Sequence, residues 1–294
     1  MSRLFITTNY GVIEYDISNR RIRELKIPKA TLGFFGITFD EASNTIYAVS
    51  REKLGFSLAK LFARAKRSSD VIVYTWKPGE ETLFASHCLY NVFDVHQIAI
   101  AGDSLILTDT AKNRLHILNR RTGRKKIMNV GKIRKDINHI NAVLVQSHSL
   151  YVGLNNRGAE SQVLVLPDIA SLLAQQGNMD ILPMGELMNL TGLTHTHDVK
   201  PWKDNFLVCA SHAGNLYQAA PVKKLATIST DFLRGIAVGD TGIWLGLSPR
   251  IDKKMRYENR TSAHIVRIDS QTMQPVDKVE IPGAGQINDM IYLP

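Results

Sequence analysis

Along almost the whole chain apolar residues recur at every second position, and the alternation is interrupted by short turns of Gly, Asn, Asp and Pro. Successive side chains of a strand point to opposite faces, so a period of two predicts β-structure from end to end. Six segments align as the opening strand of a repeating unit: FGITFD (35–40), HQIAIAG (96–102), NAVLVQS (141–147), HDVKPWK (197–203), RGIAVGD (234–240) and NDMIYLP (288–294). Each of the first five leads through a turn into a second apolar strand, TIYAVS (45–50), SLILTDT (104–110), SLYVGLN (149–155), NFLVCAS (205–211) and GIWLGLS (242–248). Two more strands complete each unit, as DVIVYTW and TLFASH do in the first and AHIVRID and VDKVEIP in the fifth. Four strands repeated at roughly 40–60 residues is the spacing of β-propeller blades.

The sixth unit ends after one strand, and the three it lacks stand at the other end of the chain as RLFITTN (3–9), GVIEYDI (11–17) and RIRELKI (21–27). Pairing the two termini closes the ring and removes two sheet edges. The expectation is an all-β, six-bladed β-propeller forming a single domain over residues 1–294, its last blade built from the C-terminal strand plus three N-terminal strands. One stretch breaks the pattern. Residues 51–67 place Leu54, Leu58, Leu61, Phe62 and Ala65 at helical spacing among six Lys and Arg residues, which predicts a basic amphipathic helix inserted in the first blade. Such a helix can pack on the fold, cover the channel mouth as a lid or lie on an anionic membrane surface.

Composition narrows the function classes. The chain has 294 residues, 44% hydrophobic and 21% charged, with no apolar run long enough to span a bilayer and no signal-peptide pattern at its start. The two cysteines, Cys88 and Cys209, have no disulfide or metal spacing and read as buried small hydrophobes, so a cytoplasmic protein is expected. The net charge of +9 is concentrated: between Lys112 and Lys135 there are ten Lys or Arg and no Asp or Glu. That segment is either a solvated outer edge or a surface for an anionic partner. Nucleic acid is not expected, because no aromatics are interleaved for base stacking.

The opening strand of a blade lines the central channel, so its first residues converge near one mouth. The alignment gives an inner tier of Phe35, His96, Asn141, His197, Arg234 and Asn288, and a mouth tier of Gly33, Asp94, His139, His195, Phe232 and Gln286, about 6.6 Å apart by strand rise. Wet channels tolerate Asn, Gln and Asp without function. Histidines and a permanent cation brought together from separate blades point instead to an anion or a metal. The expected divalent metal, whether zinc, iron or calcium, is held by His96, His197, Asn141 and Asn288. Arg234, with a fork suited to a carboxylate or phosphate, binds substrate together with Gln286 and Asp94, and His139 or His195 moves the proton. Asp198 and Asp289 follow tier residues by one position and should point away from the channel unless the strand bulges.

Three segments, HINAV (139–143), HTHDVKPWKDNFLVCASHAGNL (195–216) and FLRGIAVGDTGIWLGLSPR (232–250), resemble an uncharacterised family of bacterial six-bladed β-propellers. The likeness covers roughly the latter half of the chain and implies no activity. More distantly the architecture is similar to the gluconolactonase and paraoxonase class of calcium hydrolases. That resemblance matches Asn141, Asn288 and Asp198 to calcium-binding positions but leaves the class's first-blade Glu without a counterpart, since Phe35 and Gly36 stand there. The paired histidines and arginine are similar in kind to those of the zinc-dependent amidating lyase propeller. Two functions are therefore expected in turn: a metal-dependent hydrolase or lyase acting on a small anionic molecule at the channel mouth, or a non-catalytic propeller that binds a protein partner or anionic membrane surface through 51–67 and 112–135.

Overall fold

The computed structural model describes residues 2–28, 33–51, 69–131, 136–251 and 260–294. The first three strands, β1 (Arg3–Thr8), β2 (Val12–Asp16) and β3 (Arg21–Glu24), are the outer part of the last blade. The first blade follows with β4 (Phe34–Asp40), β5 (Thr45–Arg51), β6 (Ser69–Trp76) and β7 (Phe84–Val92), and the second with β8 (Ile98–Ala101), β9 (Ser104–Asp109), β10 (Arg114–Asn119) and β11 (Lys125–Asn129). The third contains β12 (Ile140–Gln146), β13 (Ser149–Leu154), β14 (Gln162–Leu166) and β16 (Glu186–Asn189). Before β16 the chain makes the short helix α1 (Ile169–Ala174) and β15 (Met179–Asp180), which pairs in parallel with β11 as a fifth strand of the second blade. The fourth blade is β17 (Thr196–Trp202), β18 (Asn205–Ala210), β19 (Asn215–Gln218) and β20 (Lys223–Thr227). The fifth is β21 (Phe232–Gly239), β22 (Gly242–Ser248), β23 (Ala263–Ile268) and β24 (Pro275–Ile281). The last strand, β25 (Ile287–Leu293), pairs antiparallel with β1 from Arg3↔Leu293 to Thr8↔Ile287 and completes the sixth blade, as the repeat pattern predicts.

The ring follows from where the apolar side chains go. Six buried clusters each join one blade to the next: Phe35, Val49 and Val73 of the first meet Leu105 and Leu107 of the second, and Leu4, Ile6 and Tyr15 of the sixth meet Trp244 and Ile265 of the fifth. Every sheet thus buries both faces against neighbours, which only a closed arrangement allows. The inner strands contact in the cyclic order β4, β8, β12, β17, β21, β25 and back to β4. The basic helix expected over 51–67 lies outside the described residues except for Arg51. Among the described residues no helix is long and apolar enough to cross a membrane.

One irregularity decides what faces the axis. Register shifts occur at Phe34/Ile37 on β4, Ile140/Ala142 on β12, His197/Val199 on β17 and Arg234/Ile236 on β21, and β25 slips one residue against β1 between Asp289 and Ile287. A bulge places two residues opposite one and resets the inward and outward alternation. Left-handed φ values of 55° at Asp198 and 75° at Gly235 mark two of these bulges.

Candidate functional site

The residues after the inner-tier positions are Gly36, Gln97, Ala142, Asp198, Gly235 and Asp289, and beside every one of them except Gln97 lies a register shift. Small and polar residues alternate around the ring, so three polar side chains converge with a pseudo-three-fold pattern. Gln97 Oε1 accepts from Val143 N at 3.0 Å, Asp198 Oδ2 from Gly235 N at 2.6 Å and Asp289 Oδ2 from Ile37 N at 3.2 Å, each time a backbone amide of the next blade. Gln97 Nε2 also donates to Asp198, and Lys200 Nζ donates to Asp289 Oδ1 at 3.0 Å. The small residues are required. A Cβ on Gly36 would lie 2.5 Å from Ile98 N and 2.6 Å from Gln97 Cα.

This layer is a polar floor across the channel. Burial pushes the Asp198 carboxyl up to about 7, with the nearby Asp289 charge adding to the effect. Asp289 is raised by burial too, against the opposing pull of Lys200. Burial disfavours the Lys200 ammonium, but Asp289 and Asp198 outweigh it and hold its pKa above the usual value. Asp198 and Asp289 therefore face the axis through their bulges, and their described contacts are amides and a lysine rather than imidazoles.

Above the floor the predicted tiers converge in part. His96 stacks edge-on to Phe35, with centroids 6.4 Å apart, lies 5.9 Å from His139 and is 6.4 Å from His197. His197 Nε2 is 2.8 Å from Arg234 Nη2, and its Nδ1 lies 2.8 Å from Ser211 Oγ and 3.2 Å from the His195 carbonyl. A guanidinium only donates, so Nε2 is the acceptor and Nδ1 carries the proton. Burial, reinforced by Arg234, holds the His197 pKa well below the ordinary imidazole value. Burial likewise lowers His96 to about 4 against the opposing pull of Asp94. Both rings are neutral at neutral pH.

Arg51, which the repeat alignment does not place at the axis, reaches it from the end of β5. Its guanidinium lies 3.8 Å from the Phe35 ring centroid, pairs with Asp94 and donates to the Val95 carbonyl at 2.7 Å. Burial opposes the Asp94 charge, yet Arg51 and then His96 keep the carboxyl ionised far below its usual range. Asp94 thus serves as the counter-ion of Arg51. Arg234 Cζ stacks 4.8 Å from the Phe232 ring, and Phe232 also lines a cavity of about 130 Å³ with Asn9, His212, Arg250 and Gln286. His195 stacks on His212 at 4.8 Å. His139 Nδ1 lies 3.0 and 3.2 Å from the two oxygens of Asp136. His139 and His195 have φ of 48° and 54°, left-handed values that cost a non-glycine residue of order 1–3 kcal/mol and concentrate at functional sites.

Three of the nominated metal ligands, His197, Asn141 and Asn288, are engaged with other protein groups in this arrangement. His197 directs its lone pair to Arg234. The Asn141 amide donates to the Thr196 carbonyl at 2.8 Å, and the Asn288 amide to the Phe34 carbonyl at 2.8 Å and Asn9 Oδ1 at 3.1 Å, so both asparagines staple one blade to the next. Among the described residues no three His, Cys, Asp or Glu side chains converge as a metal site. Only Asn288 Oδ1 among these groups is buried without a hydrogen-bond partner.

Several cations of the described part of the basic run make local ion pairs or bonds to carbonyls. Arg114 pairs with Asp109 at 2.8 Å, Arg120 with Asp40 and Arg121 with Asp103 at 3.2 Å. Lys126 Nζ donates to the Leu172, Leu173 and Gln175 carbonyls around the end of α1 at 2.6, 3.1 and 2.9 Å, and Lys125 Nζ to the Cys88 carbonyl at 2.8 Å. Residues 132–135 lie outside the described residues. Cys88 and Cys209 are not joined in a disulfide; Cys209 is buried and Cys88 partly so.

Fold and site together define a six-bladed propeller with an imidazole- and guanidinium-lined axial mouth closed beneath by a polar floor. No protein-family model matches the chain. No curated protein matches it either. Solved structures do: a chain of a nidogen–laminin complex superposes with a TM-score of 0.67 at 8% identity, over 99% of this chain and 98% of that one. A Bacteroides fragilis protein provisionally assigned as a 6-phosphogluconolactonase superposes with a TM-score of 0.59 at 8% identity, over 99% and 98%. At this identity the likeness is one of fold.

Proposed function

We propose that the axial mouth binds a small anionic molecule and hydrolyses an ester-type bond in it. The observation that carries this reading is the continuous line of contacts Arg51–Phe35–His96–His197–Arg234, in which two guanidinium groups flank neutral imidazoles above a sealed floor. His197 orients the Arg234 fork through its lone pair and adds no charge of its own, while Phe232 supports the guanidinium from one face. A planar fork held this way matches a carboxylate or phosphate. With the floor closed by Gln97, Asp198 and Asp289, ligand enters and leaves by the same mouth. A bound anion places its reacting carbonyl beside the imidazoles, where a neutral ring takes a proton from water as the water attacks and returns it to the leaving oxygen.

Calorimetry and thermal unfolding with inorganic phosphate and with succinate test the reading. Ligand at a hundred times its Kd stabilises the folded chain by about 2.7 kcal/mol. The expected result is binding by wild type and an affinity at least tenfold weaker in Arg234→Gln, with Arg234→Lys intermediate. Equal binding by wild type and Arg234→Gln, or binding of neither anion, overturns it.

A further inference from the structure

We infer that the cavity at the seam of the fifth and sixth blades is a binding subsite for a planar carboxamide or lactam, recognised by the side-chain amide of Gln286. The subsite stands whether or not Arg234 holds an anion, although Phe232 borders both. Its walls include Asn9 just after β1, Phe232 at the start of β21, Pro249, Arg250 and Ile251 just after β22, and Gln286 just before β25. All of these lie at the end of the ring where the inner strands begin. At about 130 Å³ the cavity is a little smaller than the roughly 150 Å³ that takes a benzene ring, so it has room for a small ring or a short amide.

The backbone aims Gln286 before any ligand arrives. Gly285 turns the chain with φ of 68°, where a Cβ would lie 2.6 Å from Tyr10 Cε2. Gly285 N donates to the Thr261 carbonyl at 2.8 Å, Asn9 N to the Gln286 carbonyl at 3.0 Å and Ile287 N to Ser248 Oγ at 2.9 Å. Held on both sides, Gln286 is 8% exposed, and among the described residues its side-chain amide has no hydrogen bond. The polar groups beside it make bonds of their own: Asn9 Oδ1 accepts from Asn288 Nδ2 at 3.1 Å, and Arg250 Nη2 donates to the His212 carbonyl. Phe232, its ring stacked by Arg234 at 4.8 Å and met edge-on by His212 at 5.2 Å, forms an apolar wall with Pro249 and Ile251. Gln286 thus presents a donor and an acceptor side by side. A carboxamide or lactam edge offers an N–H to its Oε1 and a carbonyl to its Nε2 in one plane, whichever way the amide is turned, while the ligand's carbon atoms pack on the apolar wall. A carboxylate only accepts and would set its charge against Oε1. A lone hydroxyl cannot lie in line with both atoms, and a ketone leaves Oε1 unpaired as water is displaced, which costs affinity.

The ring pair 2-pyrrolidone and cyclopentanone, alike in size and differing in the N–H, tests the subsite. The side-chain amide proton signals of Gln286, assigned by their disappearance in Gln286→Glu, are followed by NMR as each ring is added to the full chain. 2-Pyrrolidone should shift them saturably with a millimolar Kd, the affinity open to so small a ligand. Cyclopentanone should bind wild type about tenfold more weakly or worse. In Gln286→Leu, which keeps the volume and removes both polar atoms, binding is read from the Ile251 methyl signals. There 2-pyrrolidone should weaken by about tenfold, to the level of cyclopentanone, and cyclopentanone should bind no more weakly than to wild type. The absence of a saturable shift, equal affinity of wild type for the two rings, or unchanged 2-pyrrolidone affinity in Gln286→Leu overturns the subsite. The comparison of the two rings on wild type decides the question even if the Leu variant fails to fold. Neither probe carries a charge, so this result and that of the Arg234 titrations with phosphate and succinate are decided separately.

Discussion

Replacing Asp198 by Asn probes the channel floor through opposing effects that pH separates. The folded chain raises this carboxyl from its ordinary 3.8 to about 7, so it binds its proton more tightly folded than unfolded. Between those values the folded state holds one proton more than the unfolded state, and this group's contribution to stability falls by about 1.4 kcal/mol per pH unit as pH rises. Over the whole window that is about 4 kcal/mol, an upper figure because Asp289 and Lys200 share the charge. Asn has no such titration. It does lose a contact: its single oxygen can accept from Gly235 N, but its amide then faces the Gln97 amide. If Gln97 turns over to accept, Val143 N is left without its acceptor. An unpaired buried polar group costs about 1–3 kcal/mol, independent of pH. Urea unfolding followed by tryptophan fluorescence at constant ionic strength should therefore show the variant gaining about 2–3 kcal/mol on wild type between pH 5 and pH 7. Parallel stability curves for the two proteins would refute the reasoning and place the Asp198 carboxylate in a solvated or fully compensated position.

Other expectations follow from the same geometry. The folded chain keeps His96 neutral down to about 4, so its contribution is complete above the unfolded imidazole value and is lost as pH falls through that window. His96→Gln should remove a slope of about 1.4 kcal/mol per pH unit between roughly pH 4.5 and 6.5, opposite in sign to that of Asp198, and an unchanged slope in urea titrations would contradict it. Gly36→Ala would drive a Cβ into the Ile98 and Gln97 backbone and should cost about 2–3 kcal/mol or more; a melting temperature within a degree of wild type would show that the two inner strands can separate there.

Much of the architecture is written in local pattern. A strand needs only alternation and a turn needs only its Gly, Asn, Asp or Pro, so the six units and the split last blade could be read from RLFITTN at one end and NDMIYLP at the other. The aligned starts also named His96, His197 and Arg234, because strands entering a ring at one height bring equivalent positions together. Alternation could not place Asp198 and Asp289 at the axis, since a bulge changes which side a residue faces without changing its letters. Nor could it show that Asn141 and Asn288 hold carbonyls of adjoining blades, or that Arg234 occupies the lone pair of His197. Those choices depend on groups far apart in the chain meeting across blade boundaries. Arg51, at the end of β5, and Asp136, in the β11–β12 connection, joined the mouth for the same reason, neither standing at an aligned position. Local periodicity determined the blades; the closed ring alone decided which polar atoms are close enough to exchange a proton.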